Sequence, residues 1–124
     1  MSPSADDLVE AARTRIGRVL PAELAGFVGS DGLIVDIRPA AQRAEEGALP
    51  DAIVIERNVL EWRLDPAGAH RITQVRGLDQ PVVVVCSEGY ASSLAAASLV
   101  ELGFRRVADL DGGFRAWARW SSPR

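Results

Sequence analysis

The most continuous hydrophobic stretch of the chain is a run of valines, Val82–Val85, which ends at Cys86. No polar residue alternates with the valines, so a strand formed by them has both faces covered, as a central parallel strand does. The apolar residues that follow recur at helical spacing and stop at Gly103, which predicts a helix. The pattern therefore predicts a buried strand, a short loop that contains Cys86, and a helix behind it.

Three shorter apolar runs predict further strands, and the segments between the runs predict helices. The predicted strands cover residues 33–37, 52–55 and 107–110. The predicted helices begin near Pro21, Pro39, Asn58 and Gly113. The last helix carries Trp117 and Trp120, and their helical spacing predicts that both pack against the domain.

The N-terminal residues predict a helix of their own. Ser4 is a suitable N-cap, and Asp6 and Asp7 follow it in the first turn, where the helix dipole favours negative charge. Apolar residues then recur at helical spacing, at Val9, Ala12, Ile16 and Val19. Residues 1–20 are therefore interpreted as an N-terminal helical extension, followed by the main domain at residues 21–124.

The order of the elements predicts the architecture. Strands that alternate with helices are typical of a parallel sheet that is covered on both faces. The chain has 124 residues, a length that suits one compact domain. The expected fold class is therefore α/β, with three layers and a mostly parallel central sheet between helices on both faces.

Composition narrows the choice of partners. The formal net charge is -3, so there is no basic excess to neutralise a phosphate backbone, and no nucleic-acid partner is expected. The N-terminal residues lack the basic start and apolar run of a secretory signal, and no apolar run is long enough for a membrane span. The single cysteine favours a reducing, cytoplasmic location. With one histidine and one cysteine, no metal site is predicted.

The position of Cys86 indicates chemistry. Ligands of open α/β sheets bind at the carboxyl ends of the strands, and Cys86 lies at that end of the predicted central strand. Free N–H groups at the start of the next helix stabilise an anion there, so they favour thiolate over thiol. Gly89 permits the backbone conformations that an amide nest requires. The alternative is that Cys86 is the last buried residue of an apolar strand and is inert.

Four segments, in order along the chain, resemble the motifs of the rhodanese-like domain family. Residues 33–38 resemble its opening strand with Asp-x-Arg, and residues 46–53 resemble its Glu-x-Gly-His-Ile-x-Gly-Ala motif. Residues 82–92 resemble the strand and the active-site loop that starts with the catalytic cysteine. Residues 110–117 resemble the closing Gly-Gly-x-x-x-Trp motif. The resemblance implies that residues 21–124 form a rhodanese-like domain.

The resemblance also implies a function, that of a single-domain thiosulfate sulfurtransferase. Cys86 would take sulfur from a donor such as thiosulfate, carry it as a persulfide, and pass it to cyanide, a thiol or a protein acceptor. The reaction needs no metal or organic cofactor. Asp36 and Arg38 would support the site by fixing the chain beyond the first strand. The substrate-binding loop would comprise Ser87, Glu88, Gly89, Tyr90, Ala91 and Ser92. Tyr90, where the loop enters the helix, is expected to form a wall of the pocket, and the alternative is that it packs against the preceding segment.

Two loop positions depart from the family pattern. Ala91 stands where the family often has arginine, and Glu88 adds a negative charge. If Glu88 lay ~7 Å from a bound anion, the repulsion would be roughly 2 kcal/mol at an effective dielectric of ~20. Efficient thiosulfate turnover then requires that Glu88 points outward or that a cation offsets it. Arg57 and Arg63 are the candidate anion-binding residues, and the alternative is that both are ordinary surface arginines.

The second motif also departs at two positions. Ala48 replaces the usual histidine and Asp51 the usual glycine. Both motif positions are mainly structural, so these changes bear on the geometry of a turn rather than on the reaction.

Two other functions stay open. The domain is alternatively a non-catalytic binding or regulatory module that retains Cys86. The remaining alternative is an oxyanion phosphatase or arsenate reductase, since related folds use a cysteine loop for oxyanions. Loops of that kind are one residue longer and close over the anion with an arginine, which residues 86–91 lack.

Overall fold

The computed structural model describes residues 1–123, which form one parallel sheet with helices on both faces. The strands are β1 (Gly17–Val19), β2 (Leu33–Asp36), β3 (Ile53–Val54), β4 (Val82–Val85) and β5 (Val107–Leu110). The α-helices are α1 (Ala5–Arg13), α2 (Leu24–Val28), α3 (Ala40–Glu46), α4 (Leu60–Leu64), α5 (Ala91–Leu102) and α6 (Gly113–Ser121). Two short 3-10 helices, Pro21–Glu23 and Arg57–Val59, lead into α2 and α4.

The valine strand β4 lies at the centre of the sheet. The strand order is β1-β5-β4-β2-β3, and every neighbouring pair is parallel. Val82 and Val84 pack into a core with α4 and α5, whereas Val83 and Val85 pack into a second core with α2 and α6. All four valines are fully buried. The prediction of a three-layer α/β fold around a covered central strand is confirmed.

Local sequence explains how several elements begin and end. The Ser4 hydroxyl accepts the Asp7 amide at 3.0 Å, and the Asp7 carboxylate accepts the Ser4 amide at 2.9 Å, which makes a capping box. Helix α5 ends at Gly103, whose φ of 117° is in the left-handed region that favours glycine. Asp51 also has a left-handed φ, of 64°. The turn at this position is therefore one that glycine would adopt without strain.

The prediction of one N-terminal helix through Val19 was wrong. Helix α1 ends at Arg13, and Gly17–Val19 form β1, an edge strand parallel to β5. Glycine is unfavourable inside a helix, and at Gly17 a side chain would already touch the Cβ of Ala108 at 3.4 Å. The edge of β5 supplies backbone hydrogen-bond partners, which outweigh the helical spacing of the apolar residues.

The packing predicted for the last helix is correct at one tryptophan and wrong at the other. Trp117 packs against Phe114, with the ring centroids 5.7 Å apart. Trp120 is 57% exposed, because the final turn of α6 lies outside the core.

A buried ion pair fixes the chain where it leaves β2. Arg38 makes a bidentate contact with Asp36, with Nη2 2.7 Å from Oδ2 and Nε 3.0 Å from Oδ1, and both side chains are buried. Arg38 also donates to the Gly47 carbonyl at 2.9 Å, and its guanidinium lies 3.9 Å from the centre of the Phe114 ring. The pair thus joins β2 to the end of α3 and to α6.

Replacing Arg38 with methionine is expected to lower the free energy of unfolding by about 3–5 kcal/mol, because the Asp36 carboxylate would remain buried without its cation. Urea denaturation of Arg38→Met and wild type measures the change. Arg119→Met, at an exposed position of α6, is the control and should change stability by less than about 0.5 kcal/mol. An equally small effect at Arg38 would contradict the structural role of the pair.

Candidate active site

The sulfur of Cys86 is held by two backbone amides. The Gly89 N–H donates to Sγ at 3.2 Å and the Ser92 N–H donates at 3.3 Å. Ser92 is the second residue of α5, so Sγ accepts one of the amides that a helix leaves free at its N-terminus. Cys86 is 8% exposed. Two amides and the start of a helix stabilise negative charge on this sulfur.

The start of α6 clamps the backbone of the same loop. The Phe114 amide donates to the Cys86 carbonyl at 2.8 Å, and the Arg115 amide donates to the Ser87 carbonyl at 3.1 Å. A Cβ at Gly113 would lie 2.5 Å from the Cys86 carbonyl oxygen, and Gly113 has a left-handed φ of 65°. The Gly-Gly motif therefore permits a close approach of two backbone segments that a side chain would block.

Glu46, at the end of α3, joins the loop to its surroundings. Its carboxylate accepts from Ser87 Oγ at 2.9 Å, from Arg115 Nε at 3.0 Å and from Arg38 Nη1 at 3.2 Å. Burial opposes the charge on Glu46, but the hydrogen bonds from Ser87, Arg115 and Arg38 outweigh it and lower the pKa of this carboxyl. Ser87 Oγ also lies 2.9 Å from the Gln42 side-chain oxygen.

Two arginines from the N-terminal part of the chain hold the opposite side of the loop. Arg13 Nη2 donates to the Gly89 carbonyl at 2.8 Å, and Arg18 Nη2 donates to the same oxygen at 3.0 Å. Arg13 lies in the last turn of α1 and Arg18 in β1. Neither was predicted to be part of the site.

A buried carboxylate on β5 anchors one of these arginines and the start of α5. Asp109 is fully buried and lies opposite Arg18 in the β1–β5 register, with Arg18 Nε 2.9 Å from Oδ1. The hydroxyls of Ser92 and Ser93 donate to Asp109 Oδ2 at 2.9 Å and 2.7 Å. Ser92 thus donates its amide to Cys86 and its hydroxyl to Asp109.

The cation beside Glu88 is Arg115. The Glu88 side chain is 58% exposed, and its Oε1 lies 3.6 Å from Arg115 Nη1. Arg57 instead pairs with Glu61 at 3.0 Å, and Arg63 donates to the His70 carbonyl at 2.6 Å. Within residues 1–123, neither Arg57 nor Arg63 makes a hydrogen bond or ion pair with the Cys86 loop.

Tyr90 lies on the outer side of the loop and is 56% exposed. It lines an open cleft together with Asp6, Val9, Glu10 and Arg13, and the Arg13 guanidinium lies 5.4 Å from the ring centre. Ala91, the first residue of α5, is exposed beside it.

Some of the site residues that the sequence did not predict lie within recognisable motifs, and others do not. Arg115 lies inside the closing motif, directly after Phe114, and its position there was a usable signal. Glu46 is the first residue of the second motif, a position that gives no indication of its hydrogen bonds to the loop. Arg13, Arg18 and Asp109 gave no signal, because their meeting depends on the pairing of β1 with β5.

These features define a class of protein, a parallel α/β domain whose central strand ends at a cysteine held by amides. A sequence profile described as rhodanese-like domain matches residues 20–119. The chain therefore belongs to the rhodanese-like domain family.

Individual relatives agree with this assignment. The thiosulfate sulfurtransferase GlpE of Pseudomonas savastanoi pv. phaseolicola is 32% identical over 104 residues, which is 84% of this chain and 89% of that protein. A sulfurtransferase of Allochromatium vinosum is 36% identical over 93 residues, which is 75% of this chain and 78% of that protein. A solved structure from Rhodopseudomonas palustris, described as a protein of unknown function and possible tyrosine phosphatase, is similar with a TM-score of 0.87. It is 27% identical, and the match covers 99% of this chain and 95% of that chain.

No helix within residues 1–123 is both long and apolar enough to cross a membrane. The same residues contain no group of three or more His, Cys, Asp or Glu side chains placed to hold a metal ion.

The low pKa of Glu46 predicts a pH-dependent contribution to stability. Because folding lowers this pKa below the ordinary value of 4.5, the contribution is fully present above that value and is lost as pH falls through the folded pKa. Wild type should therefore be more stable than Glu46→Gln at neutral pH, and the difference should shrink in acid. Urea denaturation across this range tests it, with the exposed neighbour Glu45→Gln as control. A gap that stays constant or widens on acidification would contradict the assigned hydrogen bonds.

Proposed function

We propose that this protein is a sulfurtransferase that carries sulfane sulfur as a persulfide on Cys86. The observation that carries the proposal is the pair of amides, from Gly89 and Ser92, that converge on Sγ at the carboxyl end of the central strand. The family assignment and the relatives named as sulfurtransferases support the same reaction.

In the first half-reaction the Cys86 thiolate attacks the outer sulfur of thiosulfate. A new S–S bond forms to Sγ, the S–S bond of thiosulfate breaks, and sulfite leaves with the bonding electron pair. The enzyme is left with a persulfide that carries one negative charge, so the three negative charges of the reactants are conserved. The step is nucleophilic catalysis with a covalent intermediate.

In the second half-reaction a thiophilic acceptor attacks the terminal sulfur of the persulfide. With cyanide, a C–S bond forms, the persulfide S–S bond breaks, and thiocyanate leaves as Cys86 returns to the thiolate. A thiol, free or on a protein, accepts sulfur in the same way. The two steps are separate, so ping-pong kinetics are expected.

The loop supplies what these steps require. The Cys86 sulfur is anionic before attack and again after transfer, and the amides of Gly89 and Ser92 favour that charge. No cofactor or external oxidant is needed, because sulfur moves with its electrons balanced. The lone cysteine suits a reducing, cytoplasmic setting.

A phosphatase is the second candidate, since the similar structure from Rhodopseudomonas palustris is described as a possible tyrosine phosphatase. The loop geometry favours sulfur transfer over phosphate hydrolysis. Ala91 brings no cation to the loop, and the next residue, Ser92, donates its hydroxyl to Asp109 rather than toward a bound anion. Glu88 would repel a phosphate dianion and a thiosulfate dianion alike, so its charge does not separate the two reactions.

Mass spectrometry of the intact protein after incubation with thiosulfate tests the proposal. Wild type is expected to gain the mass of one sulfur atom, to lose it on addition of cyanide, and to release thiocyanate. Cys86→Ser should gain nothing, since it lacks the attacking sulfur. Absence of an adduct with thiosulfate and with organic persulfides would favour a non-catalytic binding module. Hydrolysis of p-nitrophenyl phosphate without sulfur loading would favour the phosphatase.

Removing the charge of Glu88 is expected to lower the KM for thiosulfate. Glu88→Gln should lower it about two- to fivefold, a modest effect because this side chain is half-exposed and already paired with Arg115. Ala91→Arg should act in the same direction by adding a cation at the start of α5. Steady-state kinetics measures both, with Glu101→Gln at the far end of α5 as control. An unchanged KM in both variants would show that donor binding does not sense this charge.

A further inference from the structure

We infer that the N-terminal segment, residues 1–19, completes the active site through two positioning residues, Arg13 and Arg18. This segment precedes the family match, which begins at residue 20. The inference deepens the proposed sulfur transfer and rests on it for its catalytic consequence. The similar structure from Rhodopseudomonas palustris covers 99% of this chain, so its match includes most of this segment.

Both arginines act on one atom of the loop. Their Nη2 atoms lie 2.8 Å and 3.0 Å from the Gly89 carbonyl oxygen, which fills both of its lone pairs with charge-assisted hydrogen bonds. Gly89 is also the residue whose amide donates to Cys86 Sγ, and its φ is 89°. Glycine by itself imposes little on its own backbone. The N–H and C=O of Gly89 belong to successive peptide groups that meet at its Cα. By holding the carbonyl, the two guanidiniums limit how far this amide can turn away from the sulfur.

The second amide on the sulfur is held by the same network. Arg18 pairs with Asp109, which accepts the hydroxyls of Ser92 and Ser93. Arg13 Nε donates to Ser93 Oγ at 3.0 Å. Both arginines therefore reach Gly89 directly. Arg13 also contacts the first turn of α5 directly, at Ser93, whereas Arg18 reaches that turn through Asp109. The N-terminal segment fixes both donors of the sulfur nest without touching the sulfur.

The charged side chains around the two amides that hold Cys86 Sγ fall into two groups, one on each side of the loop. On the side of α1, β1 and β5 lie Arg13, Arg18 and Asp109, with Asp111 3.2 Å from Arg18. Burial opposes the charge on Arg18, but its hydrogen bond to Asp109 and its attraction to Asp109, Asp111 and Cys86 outweigh it and raise its pKa.

On the opposite side of the nest, the charges belong to β2, α3, the loop itself and α6. They are paired with one another in the contacts described above: Asp36 with Arg38, Glu46 with Arg38 and Arg115, and Glu88 with Arg115. Positive charge that faces the sulfur from behind Gly89 therefore comes from the N-terminal segment.

Alkylation of Cys86 by iodoacetamide measures the effect without requiring sulfur transfer. The rate at neutral pH, divided by the plateau rate in alkali, reports how far the folded site favours the thiolate. Arg13→Gln is expected to lower this ratio about three- to tenfold through loss of one charge-assisted hydrogen bond. Arg15→Gln is the matched control, because Arg15 lies in the same segment and is exposed. The control should keep the wild-type ratio.

A second variant separates a loss of positioning from a general loss of stability. Arg18→Lys retains a cation for the buried Asp109, but a single ammonium cannot reproduce the fork that joins Asp109 to Gly89. It is expected to melt close to wild type and still to show the reduced ratio, with a lower kcat for sulfur transfer. A variant that was only destabilised would have a lower melting temperature, and its alkylation rate would not fall specifically at neutral pH.

The outcomes separate this inference from the proposed function. Folded Arg13→Gln and Arg18→Lys variants that alkylate like wild type at neutral pH would overturn the positioning role, even if wild type forms a persulfide. A reduced ratio in both variants would support that role, even if wild type takes no sulfur from any donor. In that case the proposed sulfur transfer would be wrong, but the role of the two arginines at Cys86 would stand.

Discussion

The buried carboxylate of Asp109 constrains the geometry of the site. A charge removed from water must be compensated by nearby partners, and here the partners are Arg18, Ser92 and Ser93. Satisfying Asp109 therefore fixes β1 against β5 and draws the first turn of α5 toward the sheet. The amide of Ser92 then meets the sulfur of Cys86. The geometry around Cys86 therefore depends on how the buried carboxylate of Asp109, on the neighbouring strand, is compensated.

The buried ion pair of Asp36 and Arg38 anchors the loop from the other side of the central strand. β4 is made of valines and offers no polar side chain, so its neighbours β5 and β2 carry the charges that hold the loop ends. Asp36 holds Arg38, and Arg38 reaches Glu46, which accepts the hydroxyl of Ser87. The loop is therefore anchored at Gly89 from one side and at Ser87 from the other. The strand β4 sets where the loop begins, and the charged groups on β5 and β2 hold the loop in place.

Much of this architecture was predictable, and the failures have a common cause. The uninterrupted valines identified β4, and the order of strand, cysteine, glycine and helix identified the loop, because both signals are local. The helical spacing of Val9 and Ala12 continues through Val19 and predicts a helix there, because the three residues of the edge strand β1 carry too little periodicity to oppose it. Once β1 was missed, the approach of Arg18 to Asp109 could not be foreseen. Arg57 and Arg63 follow the second predicted strand in the sequence, but their partners are Glu61 and the His70 carbonyl.

The placement of cations also bears on which anion the loop suits. Arg13 and Arg18 bind the Gly89 carbonyl, which belongs to the peptide group after the one whose amide meets the sulfur. Their charge therefore reaches the sulfur through the electric field and through the conformation of Gly89. A persulfide concentrates one negative charge beside the atom that these amides already hold. A phosphoryl dianion spreads its charge over several oxygens and is best matched by a guanidinium fork. In the loop of residues 86–92 the one charged side chain is Glu88. If the proposed function holds, cations behind the backbone suit a persulfide on Cys86, whereas a phosphate would require a cation that projects in front of the loop.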